Sequence, residues 1–188
     1  VKEVAIKSYA YGLTDKYAEA YNKLKQINVA KDNAYFSSQN GVLYDKEGTT
    51  LRYYPAGKPE TSFIVPAKVK DIANFAFISN RYLQTLDTNG LTSIGFGAFY
   101  DSNIQKLKIN KTLKDIAFGV AIANMPPTFG KCKQLKAFEV DAGNQNFSTI
   151  DGVVEDVAAI ILNIKKIALK SFTEDENGTK VSLLQHQV

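Results

Sequence analysis

At 188 residues the chain is long enough for one domain or a modest array of repeats, and 45% hydrophobic with 22% charged residues is an ordinary composition for a folded protein facing water. The 23 basic and 19 acidic side chains leave +4, too small an excess to argue nucleic acid, and the longest apolar run, VAAIIL at 157–162, is strand length and not membrane length. One cysteine, Cys132, excludes an internal disulfide, and one histidine, His186, excludes most chemistry that needs paired imidazoles.

The first predicted element is a repeat start, IKSYAY at 6–11, and it returns as IANFAF at 72–77 and IGFGAF at 94–99, with Ile116 another 22 residues on. Each copy leads to an apolar run, and the working pattern is I-x-x-x-A-F-x-x-N/C-x-x-L-x-x-φ-x-φ, where φ is apolar or aromatic. A unit of about 22 residues cannot bury its apolar side alone. Stacked units can, so the spacing predicts an α/β solenoid of short parallel strands and helical turns.

The strands are expected at 24–29, 83–88, 104–109 and 135–140. Their outward residues would line one face: Lys25, Gln26 and Asn28, then Gln84, Thr85 and Asp87, then Gln105, Lys106 and Lys108, then Lys136 and Glu139. If Lys25, Lys106, Lys108 and Lys136 align, an acidic partner would be attracted in a salt-dependent way.

After the first strand, GVLYDKEGTTLRYYPAG (41–57) reads as an inserted β-hairpin, two alternating runs around DKEG. Tyr44, Tyr53 and Tyr54 belong either to its packing or to a ligand platform, and FIVP (63–66) starts the next unit. A longer echo repeats 24–43 at 135–154, an offset of 111 residues, carrying Leu24, Asn33, Phe36 and Gly41 to Leu135, Asn144, Phe147 and Gly152. A second, shorter hairpin is therefore expected after Val154, then a degenerate start IKKIAL (164–169), and an atypical cap or frayed tail over 163–188. The whole of 1–188 is read as a single solenoid.

Three apparent chemical motifs dissolve on inspection. The G-x-G of Gly95 and Gly97 falls on repeat positions and lacks the third glycine of a dinucleotide loop. Asp45 with Glu47, and the run at 174–176, have turn spacing and not metal-ligand spacing. With the only histidine, His186, in the tail, a Ser-His or Cys-His pair is not expected, while paired carboxylates for glycoside hydrolysis stay open.

The repeat pattern, the lead-in P-A-x-V-x-D-I at 66–72, and N-x-x-F-S-x-x-x-G-V-L-Y followed by L-x-Y-Y-P-A-G-K together resemble the BspA-type leucine-rich repeat family, over roughly residues 3–162. The usual Asn-Pro is Asn33-Ala34 and Asn144-Gln145 here, Asn110 replaces Pro66 in the next unit that begins with this lead-in, and one extra residue precedes Ala121. The resemblance implies a leucine-rich solenoid, extracellular or on a bacterial surface, with no cofactor and no shared catalytic residues. It implies adhesion or other contact with a protein partner, such as a host matrix or bacterial surface protein. A spacer without a ligand and a glycan-binding module are the alternatives. The chain opens on Val1, so any targeting signal is expected outside this sequence. Candidate binding residues are Lys25, Asn28, Gln84, Gln105, Lys106, Lys108, Lys136 and Glu139 on the strand face, with Tyr53 and Tyr54 on the hairpin. Cys132 matches the family's Cys/Asn turn position and reads as a small buried residue.

Overall fold

The computed structural model describes residues 23–117, 127–147, 172–174 and 180–182. The repeat start at 6–11, the second hairpin and the degenerate start at 164–169 lie outside them.

The chain winds so that each turn contributes to two sheets. Three of the four expected strands form, each starting two residues late: β6 (Thr85–Asp87), β8 (Lys106–Ile109) and β10 (Ala137–Val140). They are parallel, and the fourth member of their sheet is β4 (Ser62–Ile64), beside β6. Period-two alternation sends Phe63, Leu86, Leu107 and Phe138 to one side in register, where Leu86 and Leu107 are fully buried.

The second sheet combines the inserted hairpin with the repeat starts. β1 (Phe36–Gln39), β2 (Val42–Asp45) and β3 (Thr50–Tyr53) are antiparallel, and β3 then continues in parallel to β5 (Asp71–Ile72), β7 (Ser93–Ile94) and β9 (Asp115–Ile116). Leu51, Ile72, Ile94 and Ile116 stack inward at the same register. Farther on, β11 (Phe172–Glu174) and β12 (Lys180–Ser182) pair antiparallel within the polar tail.

Two expectations are corrected. Residues 24–29 form no strand: Ile27 N–H donates to Gly41 O at 2.8 Å, and Ile27 and Val29 pack on the outer side of the hairpin with Leu43, Tyr53 and Phe75. The helical turns are also absent among the described residues. Single i→i+3 bonds close there, such as Ala76 N–H to Ala73 O and Asn80 N–H to Phe77 O, but left-handed residues at Phe75 (φ 60°) and Ser79 (φ 52°) interrupt any helical run.

Asp101 and Lys131 repeat the left-handed conformation of Ser79, two residues after each core phenylalanine. Gly97 (φ 61°) takes the place that Phe75 holds one turn earlier, and a Cβ on Gly95 would lie 2.4 Å from Asn74 Oδ1. The G-x-G is therefore a packing feature.

An aromatic ladder runs through the interior. Tyr54, Phe77, Phe99 and Phe129 stack with centroids 5.0, 5.0 and 5.4 Å apart, and Phe138 closes the far end edge-on at 5.3 Å. Each ring buries an area worth about 1.5–3 kcal/mol, and each stacked pair adds about 0.5–1.5 kcal/mol. Only successive turns can supply these partners, which is why one unit alone would not hold.

Candidate interaction surface

The outward side of the β4–β6–β8–β10 sheet carries two rows of side chains. Register places Ser62, Thr85, Lys106 and Ala137 in one row, and Ile64, Asp87, Lys108 and Glu139 in the other. Ile64 is 67% exposed, the one large apolar side chain in the two rows. Gln84, Gln105 and Lys136 stand at the strand entries, joined by backbone bonds from Gln105 N–H to Gln84 O and from Lys136 N–H to Gln105 O. Six of the candidates, Gln84, Gln105, Lys106, Lys108, Lys136 and Glu139, are thus brought together on one surface.

The lysine stripe is not formed. Lys25 and Asn28 are exposed but precede the hairpin, outside this sheet. The Lys106 ammonium is ion-paired to Glu139, and Lys108 sits in register between Asp87 and Glu139. Opposite charges alternate along the row, so the face carries no strong single-sign potential.

Tyr53 and Tyr54 are corrected as well. Both are buried, 2% and 0% exposed: Tyr54 is the first rung of the aromatic ladder and Tyr53 packs in the outer cluster with Leu43 and Phe75. Backbone bonds give the signal that could have found this. Tyr54 N–H donates to Ala76 O just as Phe77 N–H donates to Ala98 O, so Tyr-Tyr at 53–54 is the Ala-Phe of a shortened unit.

A second line of polar groups runs inside the turns. Asn80 Oδ1 accepts from Tyr82 N–H and Leu83 N–H, while its Nδ2 donates to Pro55 O in the preceding turn. Ser102 and Cys132 take the same place later. The Cys132 thiol donates to Phe99 O at 2.9 Å, and burial pushes its pKa up, with the Ser102 bond acting in the opposite direction. These groups satisfy buried backbone and are not poised for chemistry. Among the described residues no cluster of His, Cys, Asp or Glu is arranged to hold a metal, and no helix is long and apolar enough to cross a membrane.

On the outer ridge Arg81 donates to Asp101 O at 2.8 Å and pairs with its carboxylate at 2.6 Å. Sequence reading missed this bracket, because the two residues become neighbours only when the turns stack.

Comparison with known proteins agrees with this architecture. A family model described as a BspA type leucine rich repeat region matches residues 56–177 in six copies. A solved leucine-rich repeat protein from Eubacterium ventriosum is 29% identical with a TM-score of 0.53, over 63% of this chain and 30% of that one. A solved leucine rich cell surface protein from Faecalibacterium prausnitzii is 18% identical with a TM-score of 0.44, over 73% of this chain and 48% of that one. The DNA-directed RNA polymerase subunit alpha of Oceanobacillus iheyensis is 47% identical over 45 residues, 24% of this chain and 14% of that protein. That segment is about two repeat units long. The chain spans less than half the length of each of these proteins.

Proposed function

Since the chain belongs to the BspA-type leucine-rich repeat family, we propose that it is a non-catalytic recognition module, exported to a bacterial surface or secreted, that contacts a protein partner through the outward face of the β4–β6–β8–β10 sheet. The observation that carries this reading is the face itself: two continuous outward rows, mostly polar and either exposed or half-buried, with Ile64 uncovered at 67%. Four strands about 4.8 Å apart make a strip about 15 Å wide. With strands of three or four residues, about 10–13 Å long, the strip covers about 150–200 Å², a fraction of the roughly 800 Å² per partner in a stable interface, so further repeat units would share the contact. The whole chain, 1–188, acts as one solenoid in this reading, with 163–188 as its atypical end.

Adhesion to a host matrix or bacterial surface protein is the role that fits such a face. The spacer reading is favoured by one observation, the internal closure of Lys106 on Glu139, which removes charge from the surface offered to a partner. The experiment that separates the two is binding of the purified chain to an array of matrix proteins, bacterial surface proteins and glycans, with Ile64→Asp and Lys108→Glu alongside. Loss of a protein hit in both variants supports recognition through this face. A hit that both variants retain places recognition elsewhere, and silence across the array leaves the spacer.

A further inference from the structure

Among the described residues, the six-stranded sheet ends in a strand paired on one side only. β1 is terminal, and its backbone ladder runs only to β2. Asn40 and Gly41, with φ of 50° and 77°, make the two-residue turn between them, and in such a hairpin the flanking pair, Gln39 and Val42, exchanges hydrogen bonds. Pairs alternate along the ladder, so Ser37 also faces β2 while the backbone N–H and C=O of Ser38 point out of the sheet. The outward N–H of Phe36 is already given to Asn33 Oδ1 at 2.9 Å. The 27–29 segment crosses a face and not this edge, because Val29 N–H donates to the Ser38 hydroxyl at 2.9 Å.

A cleft of about 370 Å³ opens beside this strand, lined by Ser37, Gln39, Tyr44, Glu47, Pro66 and Lys68 among others. Ser37 lies opposite Tyr44 in register, so side chains entering from an added strand would meet the serine hydroxyl, the tyrosine ring and Pro66. Lys46 also lines the cleft, but its ammonium is engaged, donating to the carbonyls of Lys31 and Asn33. Lys68 is exposed and makes no ion pair among the described residues, so it is the cation that this wall of the cleft offers.

We propose that β1 accepts an extended acidic segment of a partner protein as a further strand, with Ser38 supplying the main-chain bonds and a carboxylate of the segment reaching Lys68. Strand addition draws affinity from the backbone and specificity from pockets for alternate side chains. Lys68 favours an acidic segment and disfavours one carrying a cation, while Glu47 in the same cleft acts in the opposite direction. This surface is separate from the strand face, so either can fail without the other.

The test uses the full chain labelled with nitrogen-15 and two blocked peptides, Thr-Val-Thr-Glu-Thr-Val-Thr and its counterpart with lysine in the centre. The expected result is binding of the glutamate peptide about tenfold tighter than the lysine peptide, with amide shifts centred on Ser38. Lys68→Glu should reverse that order, and Ser38→Pro, which removes the outward donor, should abolish binding of both. Because Ser38→Pro also loses the hydroxyl that holds Val29, the Lys68→Glu reversal is the deciding arm. Equal affinity for the two peptides, no binding by either at about 1 mM, or shifts centred on the β4–β6–β8–β10 face would each overturn the proposal.

Discussion

Asn33 and Asn144 close the same turn 111 residues apart: Asn33 Oδ1 accepts from Tyr35 N–H and Phe36 N–H, both at 2.9 Å, and Asn144 Oδ1 accepts from Asn146 N–H and Phe147 N–H at 2.7 and 2.8 Å. The Asn144 Nδ2 also donates to Asn110 O and Leu113 O and so ties its turn to the preceding unit. Asn144→Asp should keep the turn and lose the tie, whereas Asn144→Ala should lose both. Expected losses are about 1 kcal/mol for aspartate and about 2–3 kcal/mol for alanine by denaturant titration. Equal losses in the two variants would mean that the turn bonds contribute nothing, and an aspartate variant as stable as the native chain would mean that the inter-unit bonds contribute nothing.

The aromatic ladder makes a sharper prediction about the tyrosine that begins it. Among the described residues the buried Tyr54 hydroxyl has no hydrogen-bond partner, and burial, then Glu60 and Tyr44, raise its pKa above the usual tyrosine range. Removing an unsatisfied hydroxyl while keeping the ring should help, so Tyr54→Phe is expected to stabilise by about 1 kcal/mol. Phe99→Ala, which empties the centre of the stack, is expected to cost about 3–5 kcal/mol. Thermal melts of both variants test the pair, and a destabilising Tyr54→Phe would count against the ladder as described.

Much of this ladder was readable in advance, and the reason is its period. Ile72, Ala76, Phe77, Asn80, Leu83 and Leu86 recur a turn later as Ile94, Ala98, Phe99, Ser102, Ile104 and Leu107, and all twelve are buried. What escaped sequence reading depends on stacking rather than period. The two-residue strands at Asp71–Ile72, Ser93–Ile94 and Asp115–Ile116 are too short to show alternation, and they exist only because neighbouring turns supply the partners. Residues 24–29 carry the same pattern as 135–140, yet their Ile27 and Val29 pack on the outer hairpin cluster while Phe138 and Val140 join the interior. Lys106 and Glu139 looked like independent surface charges because 33 residues separate two side chains that stacking brings into contact.

Acid should loosen the hairpin turn before it reaches the solenoid core. Burial alone would raise the Asp45 carboxyl, but hydrogen bonds from Thr50 and Thr49 outweigh it and hold the pKa below the ordinary 3.8. The folded value lies below the unfolded one, so this contribution is fully present above the unfolded pKa and is lost as pH falls through the folded pKa. Thr49 N–H and the Thr49 hydroxyl bond this carboxylate, each at 2.7 Å, and amide exchange at Thr49 and Thr50 should accelerate below about pH 4 relative to Leu51. Asp45→Asn should show the faster exchange at neutral pH. Uniform acceleration across all three residues would instead indicate global unfolding.

The strand face yields the prediction that bears most directly on function. With Lys106 closed on Glu139 and Lys108 between two acids, the face should bind a polyanion weakly and with little dependence on salt. Exposed pairs of this kind contribute only about 0.2–1 kcal/mol, so removing the acids should leave the fold intact while releasing both lysines. Asp87→Asn with Glu139→Gln is therefore expected to strengthen binding to poly-glutamate. That gain should disappear as salt rises, because exposed charges are screened over about 8–10 Å near 0.1–0.15 M. The native chain eluting from immobilised poly-glutamate at the same salt as the double variant would mean that the acids do not restrain the lysines. A native chain that already elutes late, with a steep salt slope lost in Lys108→Glu, would restore the lysine stripe that the register of β6, β8 and β10 breaks.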